Sequence, residues 1–240
     1  MRYLVSSDLH YGLRQVEWIH EQASNFDAVV LSGDHLDVLG PVDPHAQISM
    51  ISALYAQIAA STTLIANSGN HDLTERLDHG EKTAPWLHDV EPSMTTDGSS
   101  IHIGTDLVSA CAWWEGPYTL DAVERQLAAD AARRPAEGAW IWAYHSPPDQ
   151  SPTSWSGRRF YGDEVLNRLI TEHQPDLVLC GHVHDSPFRE PDGSFHDRIG
   201  DTLVLNAGRQ PGRIPAHLIV DTREREVFWW SFEGDATIAL

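Results

Sequence analysis

The sequence predicts a layered α/β fold with two β-sheets. Three observations predict it. Short apolar runs alternate with longer amphipathic segments, two further regions are typical of hairpins without an intervening helix, and 240 residues suffice for one well-buried α/β domain. We therefore treat residues 1–240 as a single domain.

The elements are predicted in chain order from these patterns. Short apolar runs between polar or glycine-containing segments indicate buried strands at 3–7, 27–33, 62–69, 140–145, 176–182 and 202–208. Apolar residues spaced by three and four predict helices at 13–24, 46–60, 119–134 and 162–174. Residues 100–114 and 216–232 are typical of hairpin strands, which is why we expect a second sheet.

The composition limits the classes of partner. Asp and Glu number 35 against 16 Lys and Arg, so the formal net charge is −19 and long nucleic acid is a disfavoured partner. The apolar stretch at the start is too short for a signal peptide, and no later run reaches membrane length. Cys111 and Cys180 lack the CxxC spacing and are predicted to be reduced core thiols. We therefore expect a cytoplasmic protein without a membrane partner.

Polar side chains follow five of the predicted strands directly. They are Asp8 and His10, then Asp34, then Asn70, His71 and Asp72, then His145, and finally His182 and His184. Ligand sites of open α/β sheets lie at the carboxyl ends of the strands, so we expect these side chains to converge. Each motif alone is weak evidence, and paired imidazoles such as those of 181–184 are more often structural.

The whole set matches one chemical requirement. Two carboxylates, one amide oxygen and four imidazoles form a mixed oxygen and nitrogen ligand set that suits Mn²⁺, Fe, Zn²⁺ or Ni²⁺. The seven side chains can serve two ions if one carboxylate bridges them, which leaves positions open for water and a substrate oxygen. The sequence therefore favours a two-metal site.

In this order, the motifs D-x-H, G-D, G-N-H-D, H and G-H-x-H resemble those of the calcineurin-like metallophosphoesterase superfamily, and they span residues 8–184. The resemblance implies a four-layer α-β-β-α sandwich of two mixed sheets flanked by helices. It also implies two divalent ions, Mn²⁺ or an Fe/Mn pair, with Zn²⁺ or Ni²⁺ as alternatives. One ion would be held by Asp8, His10, Asp34 and His184, and the other by Asp34, Asn70, His145 and His182.

The resemblance further implies phosphate-ester hydrolysis by a hydroxide that bridges the two ions. His71 would be the general acid, and Asp72 would orient it through a carboxylate–imidazole contact, cap a helix that begins at Leu73, or do both. We expect a small phosphodiester, or else a phosphomonoester, as the substrate. A nuclease-type phosphodiesterase and a catalytically inactive metal-binding interaction scaffold are the alternatives.

Candidate substrate-binding residues are fewer. Arg158, Arg159 and Tyr161 lie in a loop after the fourth strand, and Arg209 follows the last strand of the first group. These cations could contact phosphate, although solvated loop arginines are the commoner case. The neighbouring Trp113 and Trp114 could form the wall of a pocket, but adjacent residues on a strand face opposite sides of a sheet. The sequence indicates no particular oligomeric state.

Overall fold

The computed structural model describes residues 1–90 and 93–240. All four predicted helices are present, as α1 (Leu13–Ala23), α2 (Pro44–Ala59), α3 (Pro117–Ala131) and α4 (Glu164–His173). Asp43 caps α2 and Asp163 caps α4 by accepting hydrogen bonds from backbone N–H groups of the first turn. None of the helices in these described ranges has the length and hydropathy that a membrane span requires.

The strands are numbered in chain order. They are β1 (Arg2–Ser6), β2 (Ala28–Ser32), β3 (Thr63–Asn67), β4 (Glu75–Arg76), β5 (Lys82–Thr83), β6 (Thr95–Thr96), β7 (Ser99–Ile103), β8 (Asp106–Ala110), β9 (Trp140–Ala143), β10 (Leu177–Cys180), β11 (His196–Ile199), β12 (Thr202–Asn206), β13 (His217–Asp221), β14 (Glu226–Ser231) and β15 (Gly234–Ala239).

The strands form two mixed sheets and one small hairpin. The first sheet has the order β15-β14-β13-β1-β2-β3-β6, and the second has the order β11-β12-β10-β9-β8-β7. Strands β1, β2 and β3 are parallel to one another, and so are β8, β9, β10 and β12. Within residues 1–90 and 93–240, strands β4 and β5 pair only with each other.

Alternating side chains build three apolar layers. Tyr3 and Val5 of β1 pack between the two sheets, whereas Leu4 faces the layer formed with α1 and α2. In β10, Leu179 packs between the sheets and Val178 faces the layer formed with α3 and α4. The order helix, sheet, sheet, helix confirms the predicted four-layer sandwich.

Five strands and one loop differ from the sequence prediction. Three of these strands, β4, β5 and β6, have only two residues each, too few to form an apolar run. Strands β11 and β15 are edge strands with few buried residues, so they lack the apolar runs that predicted the others. Strand β8 ends at Ala110, so Trp113 and Trp114 lie in a loop and not on opposite faces of a strand. This loop position lets both rings contact Tyr144, with ring centroids 6.1 Å and 3.8 Å away.

Candidate metal centre

The predicted metal ligands converge where strands of both sheets end. Loops after β1, β2 and β3 carry ligands from the first sheet, and loops after β9 and β10 carry ligands from the second. Two groups of potential ligand atoms result, each with all atoms within 4.8 Å of one another. They are Asp8, His10, Asp34 and His184, and Asp34, His145 and His182.

Asp34 is the residue common to both groups. Its Oδ2 atom lies 3.2 Å from Nε2 of His145 and 3.6 Å from Nε2 of His10, which belong to different groups. Its Oδ1 atom accepts a hydrogen bond from the backbone N–H of His71 at 2.9 Å. The carboxylate is therefore held in place on one side and faces both ligand groups on the other.

The other predicted ligand atoms lie close to one another. Oδ1 of Asp8 lies 3.2 Å from Nε2 of His184, and Nε2 of His184 lies 3.1 Å from Nε2 of His10. Asn70 joins the second group, because its Oδ1 lies 3.0 Å from Nδ1 of His182. The structure thus brings together all seven side chains that the sequence predicts to bind metal.

The backbone adopts unusual conformations at these ligands. Asp8, His10, Asp34 and His182 have φ angles of 55°, 42°, 53° and 65°, in the left-handed region that few non-glycine residues occupy. Such conformations cost free energy and are concentrated at functional sites. At these positions they aim side chains from the strand ends into the space between the ligand loops.

Glycines next to the ligands provide the space for this close packing. A Cβ atom on Gly181 would lie 2.4 Å from Oδ2 of Asp8, and one on Gly69 would lie 2.3 Å from Oδ1 of Asp34. Any side chain at either position would displace a carboxylate. The requirement at Gly181 is therefore one of space, since this residue does not have a positive φ angle.

His145 provides a direct test of whether the site fits a metal. Its Nδ1 atom lies 2.7 Å from the backbone oxygen of Ser32, which fixes the ring and turns Nε2 towards Asp34. This Nε2 atom is buried, and although it lies 3.2 Å from Oδ2 of Asp34, it forms no well-directed hydrogen bond with any described residue. A buried imidazole nitrogen without a partner, facing two carboxylates, fits a metal ligand.

The protonation states agree with this fit. Burial lowers the pKa of His10 and of His182 to about 4, so both imidazoles are neutral at neutral pH, as metal ligands must be. Burial alone would lower the pKa of His145 as well, but the carboxylates of Asp34 and Asp8 raise it to about 10. A metal that binds His145 must therefore displace a proton.

His71 lies beside the ligand groups without belonging to either. Its Nε2 atom is 4.0 Å from Oδ2 of Asp34, and its ring lies edge-on to that of His10 with centroids 4.7 Å apart. Its side chain is 21% exposed, so it borders both the ligands and solvent. This position is compatible with proton transfer to a substrate at the site.

Asp72 has a different environment from the one predicted. Its Oδ1 accepts hydrogen bonds from the backbone N–H groups of His35 and Leu36, and its Oδ2 accepts one from Gly69. In the part of the chain that the structure describes, Asp72 does not contact the ring of His71, and Nδ1 of that ring has no hydrogen-bond partner. No helix begins at Leu73 either. This corrects the expectation that Asp72 orients His71 directly or caps a helix.

The three hydrogen bonds give Asp72 another role, as a clamp between ligand loops. One oxygen binds the loop that carries Asp34, and the other binds the loop that carries Asn70. Burial raises the pKa of Asp72, with the backbone donors acting against the rise. Asp72 thus ties together the loop that carries Asp34 and the loop that carries Asn70.

Replacing Asp72 by alanine is expected to weaken metal binding about 10- to 100-fold and to lower the free energy of unfolding by about 3 kcal/mol, because three buried N–H groups lose their acceptor. Asp72→Asn keeps one carbonyl oxygen and should have a smaller effect on both. Metal titration and chemical denaturation measure the two quantities. Unchanged metal affinity in Asp72→Ala would contradict the clamp.

The predicted substrate-binding residues divide into two groups. Arg209 lines a cleft with His10 and His184, and Tyr161 lines another cleft with Trp113 and His182. The guanidinium of Arg159 lies over the Tyr161 ring, 4.1 Å from its centroid. Arg158 is exposed, and no contact within the described residues connects it to the ligands.

Asn206 is a supporting residue that the sequence analysis did not single out. Its Nδ2 atom lies 3.1 Å from four oxygens, which include the backbone oxygens of Gly181 and Val183 on either side of His182. Its Oδ1 accepts a hydrogen bond from the backbone N–H of Gly208. The only sequence signal was another polar residue at the end of an apolar strand.

Comparisons with known proteins agree with this architecture. The family model for the calcineurin-like phosphoesterases matches residues 1–186. No curated protein matches the sequence. Among solved structures, the protein TT1561 of Thermus thermophilus is 18% identical with a TM-score of 0.60, and 99% of this chain and 98% of that chain are covered.

Two further solved structures have the same fold. A dimetal phosphatase from Danio rerio is 12% identical with a TM-score of 0.61, and 100% of this chain and 98% of that chain are covered. The purple acid phosphatase PPD1 from yellow lupin seeds is 15% identical with a TM-score of 0.58, and 100% of this chain and 53% of that chain are covered. At these identities the similarity shows the fold.

Proposed function

The chain belongs to the calcineurin-like phosphoesterase family, and from this premise we propose that it hydrolyses small phosphate esters with two divalent metal ions bound. The observation that carries the proposal is the pair of ligand groups that share Asp34. The site opens to solvent on the side of the partly exposed His184, and the cleft there, of about 400 Å³, has room for a substrate.

Each ion has its own set of ligands in this proposal. Asp8, His10 and His184 would hold one ion, Asn70, His145 and His182 would hold the other, and Asp34 would bridge them. Mixed oxygen and nitrogen ligands suit Mn²⁺, Fe, Zn²⁺ or Ni²⁺, and the resemblance to the family favours Mn²⁺ or an Fe/Mn pair. When bound, such a pair of ions supplies a water nucleophile at neutral pH and offsets the charge on phosphoryl oxygens.

The side chains around the ions complete the reaction. His71 donates a proton from its Nε2 atom to the departing oxygen, since this atom borders the ligand groups and has no role in binding them. The backbone N–H of His71 holds Oδ1 of Asp34, so one loop positions both the bridge and the proton donor. Arg209 lines the cleft that contains His10 and His184, and Tyr161 lines the cleft that contains His182. In this proposal both residues would contact the ester.

We favour a phosphodiester over a phosphomonoester as the substrate. The support is that His71 and His10 are both present, with their rings 4.7 Å apart beside the shared carboxylate. This pair of histidines resembles that of the diesterase-like members of the family, and a positioned acid assists the departure of a poor alkoxide leaving group. A catalytically inactive scaffold is disfavoured because the sequence contains His71, the candidate proton donor, together with the full set of predicted ligands.

Charge and cysteine chemistry support a small substrate and a cytoplasmic location. A formal net charge of −19 repels long nucleic acid, so a nuclease-type activity is disfavoured. Cys111 and Cys180 are free and buried, as expected in a reducing compartment.

Removal of the metals is expected to abolish the activity. Protein treated with a chelator should not hydrolyse bis-p-nitrophenyl phosphate, and addition of Mn²⁺ should increase the rate at least about 100-fold. Colorimetric assays with the diester and with p-nitrophenyl phosphate measure the rate and the preference. If protein shown by elemental analysis to hold two ions per chain is inactive on both esters, the proposal is wrong and the scaffold function is favoured.

A further inference from the structure

An apolar pocket of about 370 Å³ lies between the chain that follows β3 and the first turns of α3. We call it the Trp113 pocket, after the largest side chain in its wall. Its volume falls within the range of small-molecule sites. Its principal lining residues are Leu77, His79, Ala84, Trp113, Tyr118 and Ala122.

Trp113 lines this pocket and also contacts residues of the candidate metal centre. Its ring centroid lies 5.4 Å from that of His182 and 5.8 Å from that of His145, which are both predicted ligands. The same side chain lines the cleft that contains Tyr161 and His182. Ser68, two residues before Asn70, also lines the pocket and accepts a hydrogen bond from the backbone N–H of Trp113.

The chemistry of the walls selects an uncharged aromatic group. Trp113 forms one wall, and Tyr118 forms another with His79 stacked on it at a centroid distance of 4.3 Å. Aromatic side chains pair favourably with other rings. Neither Lys nor Arg occurs among the described residues that line the pocket, whereas the carboxylate-bearing Asp97 does. A second phosphate group is therefore disfavoured there.

We propose that the Trp113 pocket binds an aromatic organic group of the phosphate ester that is cleaved at the metal centre. This inference rests on the proposed function and specifies its substrate class. With the phosphoryl group at the ions and the ring beside Trp113, the protein distinguishes aryl esters from small alkyl esters through buried apolar area.

Two esters with similar leaving groups test the preference. Phenol and 2-naphthol have similar acidity, but the fused second ring buries more apolar surface. The comparison is made once with monoesters (2-naphthyl phosphate against phenyl phosphate) and once with diesters (2-naphthyl methyl phosphate against phenyl methyl phosphate). In each pair, kcat/KM of the naphthyl ester should exceed that of the phenyl ester about tenfold, because its second ring would bury roughly 50 Å² more apolar surface.

Ala122→Trp fills the pocket from α3 and should reduce this ratio to about one. Ala128→Trp is the matched control, because Ala128 is an exposed residue of the same helix that does not line the pocket, and it should keep the wild-type ratio. Leu77→Ala removes apolar surface from the chain that follows β3 and should lower the ratio about threefold. Circular dichroism and metal content show whether each variant folds and binds metal.

The outcomes separate this inference from the function on which it rests. If the esters are cleaved but the ratio is near one in the wild type, or equal in Ala122→Trp and Ala128→Trp, the inference is wrong while the phosphoesterase function stands. If no ester is cleaved, the fluorescence of 2-naphthol reports binding directly. Affinity should then be about tenfold weaker in Ala122→Trp than in Ala128→Trp, and equal affinities would overturn the pocket assignment.

Discussion

Asp34→Asn is expected to lose most of its metal at both positions and to reduce kcat at least about 1,000-fold. The reason is that the Asp34 carboxylate belongs to both ligand groups, with Oδ2 facing His145 in one and His10 in the other. An amide supplies one weaker oxygen ligand and no negative charge. Elemental analysis and ester hydrolysis measure the two losses.

Asp37→Asn provides the matched control for this substitution. Asp37 is three residues further along the same loop and accepts a hydrogen bond from the backbone N–H of Leu39, so it belongs to neither ligand group. This variant should keep its metals and its activity. An Asp34→Asn protein that retains two ions and full activity would rule out a bridging role.

His71→Ala is expected to keep both metals. Its loss of activity should be larger for esters whose leaving group is more basic. General acids contribute about 10²- to 10⁴-fold, so cleavage of an alkyl methyl phosphate should fall by about that factor. A p-nitrophenyl ester needs little protonation of its departing oxygen and should be affected much less. Parallel assays on the two esters measure the difference.

The control for His71→Ala is His45→Ala, which removes an exposed imidazole from the start of α2. This variant should behave like the wild type on both esters. Loss of rate by the same factor on both esters in His71→Ala would argue against proton donation. It would assign His71 to orientation of the substrate or of Asp34.

The sequence allowed the central strands to be predicted because their burial leaves a strong local signal. The runs that became β1, β2, β3, β9, β10 and β12 are almost wholly buried, and their apolar residues are consecutive. The exposed edge strand β15 has no such signal. Its partner β14 determines its place in the sheet.

The environment of Asp72 could not be predicted for a related reason. Its acceptor role depends on the N–H groups of His35 and Leu36, which precede it by 37 and 36 residues and meet it only through the pairing of β2 with β3. From the neighbouring residues alone, Asp72 was predicted to contact the ring of His71 or to cap a helix. The Trp113 pocket likewise depends on α3 packing near the chain that follows β3.

The two ligand groups draw residues from both sheets, and this has a consequence for folding. The first sheet contributes Asp8, Asp34 and Asn70, which follow its strands β1, β2 and β3. The second sheet contributes His145, His182 and His184, which follow its strands β9 and β10. Bound ions would act as reversible cross-links between loops of the two sheets. The sheets could then separate at this edge only after the ions dissociate. Bound metal would then raise the melting temperature of the chain, and removal of the metal would increase amide hydrogen exchange at this edge of the two sheets.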